Sequence, residues 1–296
     1  MPKSGFVAII GRPNTGKSTL LNRLVGEKVA IVSPVPQTTR NQIRGVFNCP
    51  EGQIVFIDTP GIHKPFHRMN QRMMKMVYAA LEGLDLVLLI VDTSAPFGEG
   101  DRFVLNLLRE RGLPSFLLLN KIDLIQKTAL LPLMGRYSTE LNWLEVIPLS
   151  ALTGENVSLL LDRIVAVLKE GPCYFSQDEY TDQPERALAA EFVRERILCH
   201  TREEVPHSVA VVIEKFEEGP RLVRIYAAIL VERDSQKGIL IGQKGRMLKQ
   251  IGTEARIELE RLLNTKVYLE LFVKVRPNWR DDEAALDEIG ITKINP

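Results

Sequence analysis

The chain has 296 residues, 45% of them hydrophobic, and its 38 Lys and Arg nearly balance 37 Asp and Glu, for a formal net charge of +1. That length is more than one core usually organises, so two domains are expected, and a net charge near zero says nothing about partners, which only local clustering of charge can indicate. Cys49, Cys173 and Cys199 are too few and too scattered for a disulfide framework or a cysteine metal cluster.

The N-terminus lacks a signal-peptide pattern, and no apolar run reaches membrane-spanning length. A reducing, cytoplasmic setting without a structural metal is expected.

Phe6–Ile10 reads as a strand, and Thr19–Val25 as a helix with Leu20, Leu21 and Leu24 at helical spacing. Between them lies Gly11-Arg12-Pro13-Asn14-Thr15-Gly16-Lys17-Ser18, a G-x-x-x-x-G-K-[ST] phosphate loop. Gly11 and Gly16 let the backbone approach phosphate, and its N–H groups form an anion nest at a helix N-terminus. Lys17 is expected at the β- and γ-phosphates and Ser18 on Mg²⁺, with Thr19 closing the motif.

Lys28–Val32 is a short apolar run, and residues 33–41 form a Pro- and hydroxyl-rich loop. Thr38 or Thr39 could complete the Mg²⁺ shell there and sense the γ-phosphate; Thr39 is favoured. Gln42–Phe47 and Gln53–Ile57 read as strands around a turn. The second ends in Asp58-Thr59-Pro60-Gly61, followed by Ile62. Asp58 is placed to hold Mg²⁺ and the Gly61 N–H to approach the γ-phosphate. Residues 62–76 read as a mobile segment with a soft packing face of methionines; His63 and His67 read as solvent-side loop residues.

Leu84–Val91 and Leu113–Leu119 are apolar enough for central parallel strands. Asn120-Lys121-Ile122-Asp123 follows the second. The Asp123 carboxylate can accept from guanine N1–H and N2–H₂, a donor pair that adenine lacks. Asn120 would brace the base, and the Lys121 stem would cover its ring. The strand Glu145–Leu149 ends in Ser150-Ala151-Leu152, where the Ala151 N–H would meet guanine O6. Five motifs in this order define a doubly wound α/β P-loop GTPase domain over residues 1–172. GTP/GDP and Mg²⁺ are its expected cofactors, with Lys17, Thr39, Asp58 and Gly61 carrying catalysis and Ser18, Thr39 and Asp58 holding the metal.

Residues 173–184 read as a polar linker. A helix from 185 to 203, strands over 205–217 and 221–232, a helical pair around residues 238–263 and a strand over 266–274 give the order α-β-β-α-α-β. That is the order of a type II KH domain, a smaller α+β unit, assigned here to 185–280. Gly242-Gln243-Lys244-Gly245 is its G-x-x-G loop, flanked by Ile239, Leu240 and Ile241 as an apolar floor and by Arg246 and Lys249. From Lys237 to Arg280 basic residues exceed acidic ones, as an RNA-binding face requires. Residues 281–296 form a tail that opens with Asp281-Asp282-Glu283, unsuited to phosphate.

GRPNTGKSTLLN, PQTTR, DTPGIH, NKID, SAL and ILIGQKGRMLKQIG together resemble the Era family of bacterial ribosome-assembly GTPases over nearly the whole chain. The resemblance implies binding of the 3′ region of 16S ribosomal RNA, a role in small-subunit maturation, and peripheral association with the inner face of the membrane. One departure from Ras-like enzymes is Ile62, which stands where they carry the Gln that orients the attacking water, so slow intrinsic hydrolysis is expected. Asn14 resembles the residue by which potassium-dependent relatives hold K⁺ beside the phosphates. The competing reading is an RNA-binding module whose first domain holds nucleotide without turnover; Thr39 and Asp58 favour the switch.

Overall fold

The computed structural model describes residues 1–62 and 67–291. It divides into two compact units, one made of residues 1–30, 36–64 and 73–182, the other of 31–35, 65–72 and 183–296.

The first unit begins with β1 (Lys3–Ile10), α1 (Lys17–Val25), β2 (Ile43–Cys49) and β3 (Gly52–Asp58). After α2 (Arg68–Ala80), which straddles the two units, it continues through β4 (Leu86–Asp92), α3 (Glu99–Arg111), β5 (Ser115–Asn120), α4 (Leu130–Ser138), β6 (Glu145–Pro148) and α5 (Val157–Val167). The sheet order is β2-β3-β1-β4-β5-β6, with only β2 antiparallel. Continuous apolar runs such as Val7–Ile10 and Leu86–Val91 are buried because both sheet faces are covered. Leu20, Leu21 and Leu24 of α1 pack with Val7, Ile9 and Phe56 in one cluster, while Val77, Val104 and Leu108 pack with Ala8, Ile10 and Leu89 in another. The chain builds outward from β1 in both directions. The carboxyl end of β1 is therefore the switch point at which open α/β sheets bind ligands.

Two expectations change in this unit. The stretch from Arg68 is helical, because Met69, Met73, Met76 and Ala80 recur on one face and are all buried. His63 lies outside the described residues. Residues 173–182, expected as a linker, belong to the first unit and run along its sheet. Val46 N–H donates to Tyr180 O, Thr181 Oγ1 donates to Arg44 O, and Arg44 pairs with Asp182 at 2.8 Å. Gln53 is fully buried; its Oε1 accepts from Tyr174 and Phe175 N–H, and its Nε2 donates to Phe175 O and Asn48 Oδ1. The Tyr174 ring lies 4.6 Å from that of Phe6.

The second unit contains α6 (Glu185–His200), α7 (Val205–Ser208), β7 (Ala210–Glu217), β8 (Leu222–Val231), α8 (Asp234–Ile241), α9 (Arg246–Leu262), β9 (Lys266–Val275) and α10 (Glu283–Glu288). Its sheet order is β7-β8-β9, with β8 antiparallel to β7 and parallel to β9. Phe192, Val193 and Ile197 of α6 and Ile251, Ala255 and Leu259 of α9 pack against Ile225, Ala227 and Ile229. The expected α-β-β-α-α-β order is present with two additions. Residues 205–208 form a helical turn rather than strand, since Pro206 sits in its first turn, where the missing N–H costs nothing. The segment after residue 280 is folded up to Ile291: Asp282 caps α10 by accepting from Ala284 and Ala285 N–H, and the preceding Trp279 is fully buried, donating to Ser208 O. His67 belongs to this unit and sits 3.2 Å from Asp281 instead of standing free in solvent.

Candidate functional site

The phosphate loop occupies the turn between β1 and α1, and its glycines are fixed by close approach. A Cβ on Gly11 would lie 2.4 Å from Ile90 O, and one on Gly16 2.3 Å from Asn120 Nδ2. Gly16 also has φ 98°, a left-handed conformation that disfavours any larger residue. Lys17 is buried, donating to Arg12 O at 2.8 Å and Gly11 O at 3.3 Å. Burial lowers its ammonium to about 8, against the raising effect of Asp58.

Ser18, Thr39 and Asp58 converge from three separate segments. Ser18 Oγ lies 2.7 Å from Thr39 Oγ1 and donates to Asp58 Oδ2 at 2.7 Å; Thr39 Oγ1 lies 3.4 Å from the same oxygen. Asp58 is fully buried, which raises its carboxyl to about 6, opposed by Lys17, the two hydroxyls and the Thr59 N–H. Its Oδ1 is buried with no hydrogen-bond partner among the described residues. Two hydroxyls and a carboxylate with an orphan oxygen form a hard, all-oxygen donor set, which fits Mg²⁺. Thr39, rather than Thr38, makes this contact.

Asn120 is the hinge between phosphate and base regions. It is buried, donates from Nδ2 to Thr15 O at 2.7 Å, and accepts from Ala151 N–H at 2.9 Å on Oδ1. Next to it lies a cavity of about 270 Å³, lined by Gly16, Thr19, Asn120, Lys121, Asp123, Ser150, Ala151 and Leu152 among others. Asp123 is exposed at its mouth. Apolar walls with a few convergent polar groups suit a flat heterocycle.

The side chains of several expected residues are engaged within the protein. Thr59 Oγ1 donates to Ile9 O, and the Ile62 side chain packs in the apolar cluster while its N–H donates to Gly11 O at 3.3 Å. Arg12 pairs with Asp101 at 2.7 Å. Pro13 packs against Gly61, where an added Cβ would lie 2.9 Å from its Cγ.

Two positioning residues escaped sequence reasoning. Asn22 Oδ1 accepts from Val29 and Ala30 N–H, and its Nδ2 donates to Ala30 O, which fixes the start of the segment leading to Thr39. Asp92, held below the usual carboxylate range by Lys121 and Ser94 against the effect of burial, accepts from Lys121 Nζ at 2.6 Å. A polar residue at helical spacing toward the core, and an Asp ending an apolar strand, were the only signals.

In the second unit, Gly242–Gly245 joins α8 to α9. Gly242, Lys244 and Gly245 have φ of 68°, 53° and 76°. Gln243, Lys244, Arg246 and Lys249 are exposed, Ile239 is 47% exposed, and Ile241 is half-buried. Leu240 is fully buried in the core and drops out of the expected apolar floor.

The class is defined by these features: a P-loop GTPase domain followed by a KH domain. A family model described as 50S ribosome-binding GTPase matches residues 6–121, and a KH domain model matches 204–280. GTPase Era of Leuconostoc citreum is 51% identical over 99% of this chain and 98% of its own length. GTPase Era of Geobacter metallireducens is 50% identical over 98% of both. Among solved structures, a point variant of Aquifex aeolicus Era bound to GDP·AlF₄⁻ matches at TM-score 0.95 and 41% identity, covering 98% of this chain and all of that one. Era in complex with MgGDPNP and nucleotides 1506–1542 of 16S ribosomal RNA matches at TM-score 0.96 and 41% identity, over 99% of this chain and all of that one. The chain belongs to the GTPase Era family, and it is a GTPase.

Proposed function

We propose that this GTPase binds the 3′ region of 16S ribosomal RNA through Gly242–Gly245 and the residues beside it, and assists maturation of the small ribosomal subunit in the cytoplasm. The carrying observation is the exposed, left-handed Gly-Gln-Lys-Gly turn, in a chain 41% identical to an Era structure in complex with 16S nucleotides. Such a turn lets a nucleic-acid backbone approach without side-chain obstruction, with Lys244 beside the phosphates.

In the first unit Lys17 serves the β- and γ-phosphates. Ser18, Thr39 and Asp58 hold Mg²⁺, which supplies positive charge for the transferring phosphoryl group. Asp123 pairs the guanine N1–H and N2 amine, and the Ala151 N–H meets O6. The Gly61 N–H serves the γ-phosphate. Ile62 offers no group to orient water, so intrinsic turnover is slow. Asn14 holds K⁺ beside the phosphates, where its charge substitutes for an arginine finger. Peripheral association with the cytoplasmic face of the membrane rests on family resemblance alone. No helix among the described residues is long and apolar enough to cross a bilayer.

The test is fluorescence anisotropy with a labelled RNA oligonucleotide of the 16S 3′ region, in the presence of Mg²⁺ with GDP or a non-hydrolysable GTP analogue. Preference over a scrambled oligonucleotide, strengthened by the GTP analogue, is expected. Equal binding of both RNAs with either nucleotide would sink the reading.

A further inference from the structure

We propose that Arg23 is a specificity-determining positioning residue, which sets the guanine-reading loop in register with the phosphate loop. The inference deepens the proposed reading of the base pocket and rests on the Ala151 contact to guanine O6.

Arg23 lies in the last turn of α1 and carries an exposed side chain. Its guanidinium reaches across to the loop after β6, donating from Nε to Ala151 O at 3.4 Å and from Nη2 to Leu152 O at 2.5 Å. The turn is otherwise closed from within: Ser150 N–H donates to Glu155 O, Gly154 N–H to Ser150 O, and Thr153 N–H to Ser150 Oγ. Ala151 and Leu152 stand at its tip, and Leu152 is 68% exposed. Their two carbonyls take a fork of donors from a single planar group, which fixes two successive peptide planes at once.

The Ala151 N–H belongs to the preceding peptide plane, joined to the clamped carbonyl through the Ala151 Cα. It is held from the other side, since it donates to Asn120 Oδ1 at 2.9 Å. Asn120 and Arg23 thus grip the same residue by its N–H and by its carbonyl, and guanine O6 would share that N–H with Asn120 Oδ1 as a second, bifurcated acceptor. Gly154 is called for by its φ of 89°, while a Cβ there would stand at ordinary contact distance, 3.8 Å, from Arg23 Cζ.

The helix that carries Arg23 begins at Lys17. One rigid nine-residue element therefore presents the phosphate lysine at its start and the base-loop clamp near its end. The spacing between the phosphate nest and the O6 donor is set by this helix. An N–H turned away from O6 weakens a hydrogen bond that falls off steeply with angle. Without Arg23 the tip is held by its own turn and by Asn120 alone, and the O6 contact weakens, while the Asp123 contacts on the opposite side of the pocket are untouched.

The test compares three diphosphates by isothermal titration calorimetry: GDP, 6-thio-GDP, in which a poor acceptor replaces O6, and IDP, which keeps O6 but lacks the exocyclic amine. The wild type is expected to prefer GDP to each analogue by roughly fivefold to tenfold per hydrogen bond lost. In Arg23→Ala the GDP to 6-thio-GDP ratio collapses toward one, while the GDP to IDP ratio stays at its wild-type value. Arg23→Lys, which keeps the charge without the planar fork, recovers part of the first ratio. A uniform loss across all three ligands would mark a merely structural role and overturn the assignment, as would an unchanged 6-thio ratio. A wild type that does not distinguish GDP from 6-thio-GDP removes the Ala151 reading, and Arg23's role with it. The melting temperature of the nucleotide-free variants should stay near wild type, because the side chain is exposed.

Discussion

Two glycine loops in this molecule are proposed to meet phosphate, and they are built differently. Gly11–Ser18 is pinned from every side: Asn120 holds Thr15 O, Lys17 holds two loop carbonyls, and a methyl group on either glycine would collide with a neighbour. Gly242–Gly245 has exposed side chains at Gln243 and Lys244; a Cβ on Gly245 would meet nothing within 4 Å, although one on Gly242 would press on Met247 Cβ at 2.7 Å. The first geometry suits one ligand held in a single pose, where each buried group must be matched. The second suits a backbone that passes through, where charge and access matter more than fit. Glycine signals both in sequence; burial separates them.

The largest effect is expected at the base pocket. Asp123→Asn should weaken GTP by roughly a thousandfold or more, because buried polar groups left unmatched discriminate at that scale. Xanthosine triphosphate should gain in return, since its ring offers an acceptor where guanine offers a donor. Competition binding with both nucleotides checks this, and unchanged affinities would remove the guanine assignment.

At the other loop, Gln243→Asp with Lys244→Asp should lower RNA affinity by about tenfold to a hundredfold at moderate salt, as attraction turns to repulsion. GTP affinity and melting temperature should hold, since exposed positions shift stability by only about ±0.5 kcal/mol. Paired RNA and GTP titrations on one preparation decide it. Retained RNA binding would move the contact to the basic face around Arg256 and Lys266.

Acid should act on the first site through Asp58. Because burial raises Asp58 to about 6, the nucleotide-free native state holds a proton that the unfolded chain has released above its ordinary value of 3.8. The stability this proton brings is present below that ordinary value and fades as pH rises through 6. Mg²⁺ requires the ionised carboxylate, so below pH 6 it must displace the proton. Mg²⁺-supported GDP affinity should fall by up to about tenfold per pH unit there, and Asp58→Asn should abolish the slope. Titrations between pH 5 and 8 read this out; RNA binding by the second loop should not share the same midpoint.

The smallest effect concerns the monovalent ion. Replacing K⁺ by Na⁺ should slow GTP hydrolysis several-fold, on the scale of a modest loss of transition-state charge stabilisation. Equal rates would count against Asn14 as a K⁺ residue.

Much of the first site was legible because its chemistry is local. Lys17 and Ser18 follow a strand and start a helix, and Asn120 ends another strand with Asp123 in the short helical turn just after it, so sequence adjacency becomes spatial order. The Asp58–Ser18–Thr39 contact was legible only through the order of motifs. Arg23, Asn22 and Asp92 were not, because each acts through a bond that no periodicity announces. Gln53 was hidden for the same reason: its partners Tyr174 and Phe175 lie 121 and 122 residues away. The helical turn at 205–208 was missed because the apolar residues around it fit a strand equally well, and Pro206 decides between them.

The strap formed by residues 170–182 also has a consequence for the order of folding. Ser4 Oγ donates to Pro172 O across 168 residues, and Gln53 waits for Tyr174 and Phe175 across more than a hundred. Contacts this distant close late and slow the search, and a chain emerging from its N-terminus cannot make them early. Until Phe175 has been synthesised, the Gln53 amide lacks the backbone partners that its burial demands. The first unit therefore completes itself with the last stretch of chain made before α6. A truncation at the end of α5 would leave β2 and β3 with an open seam where the strap belongs.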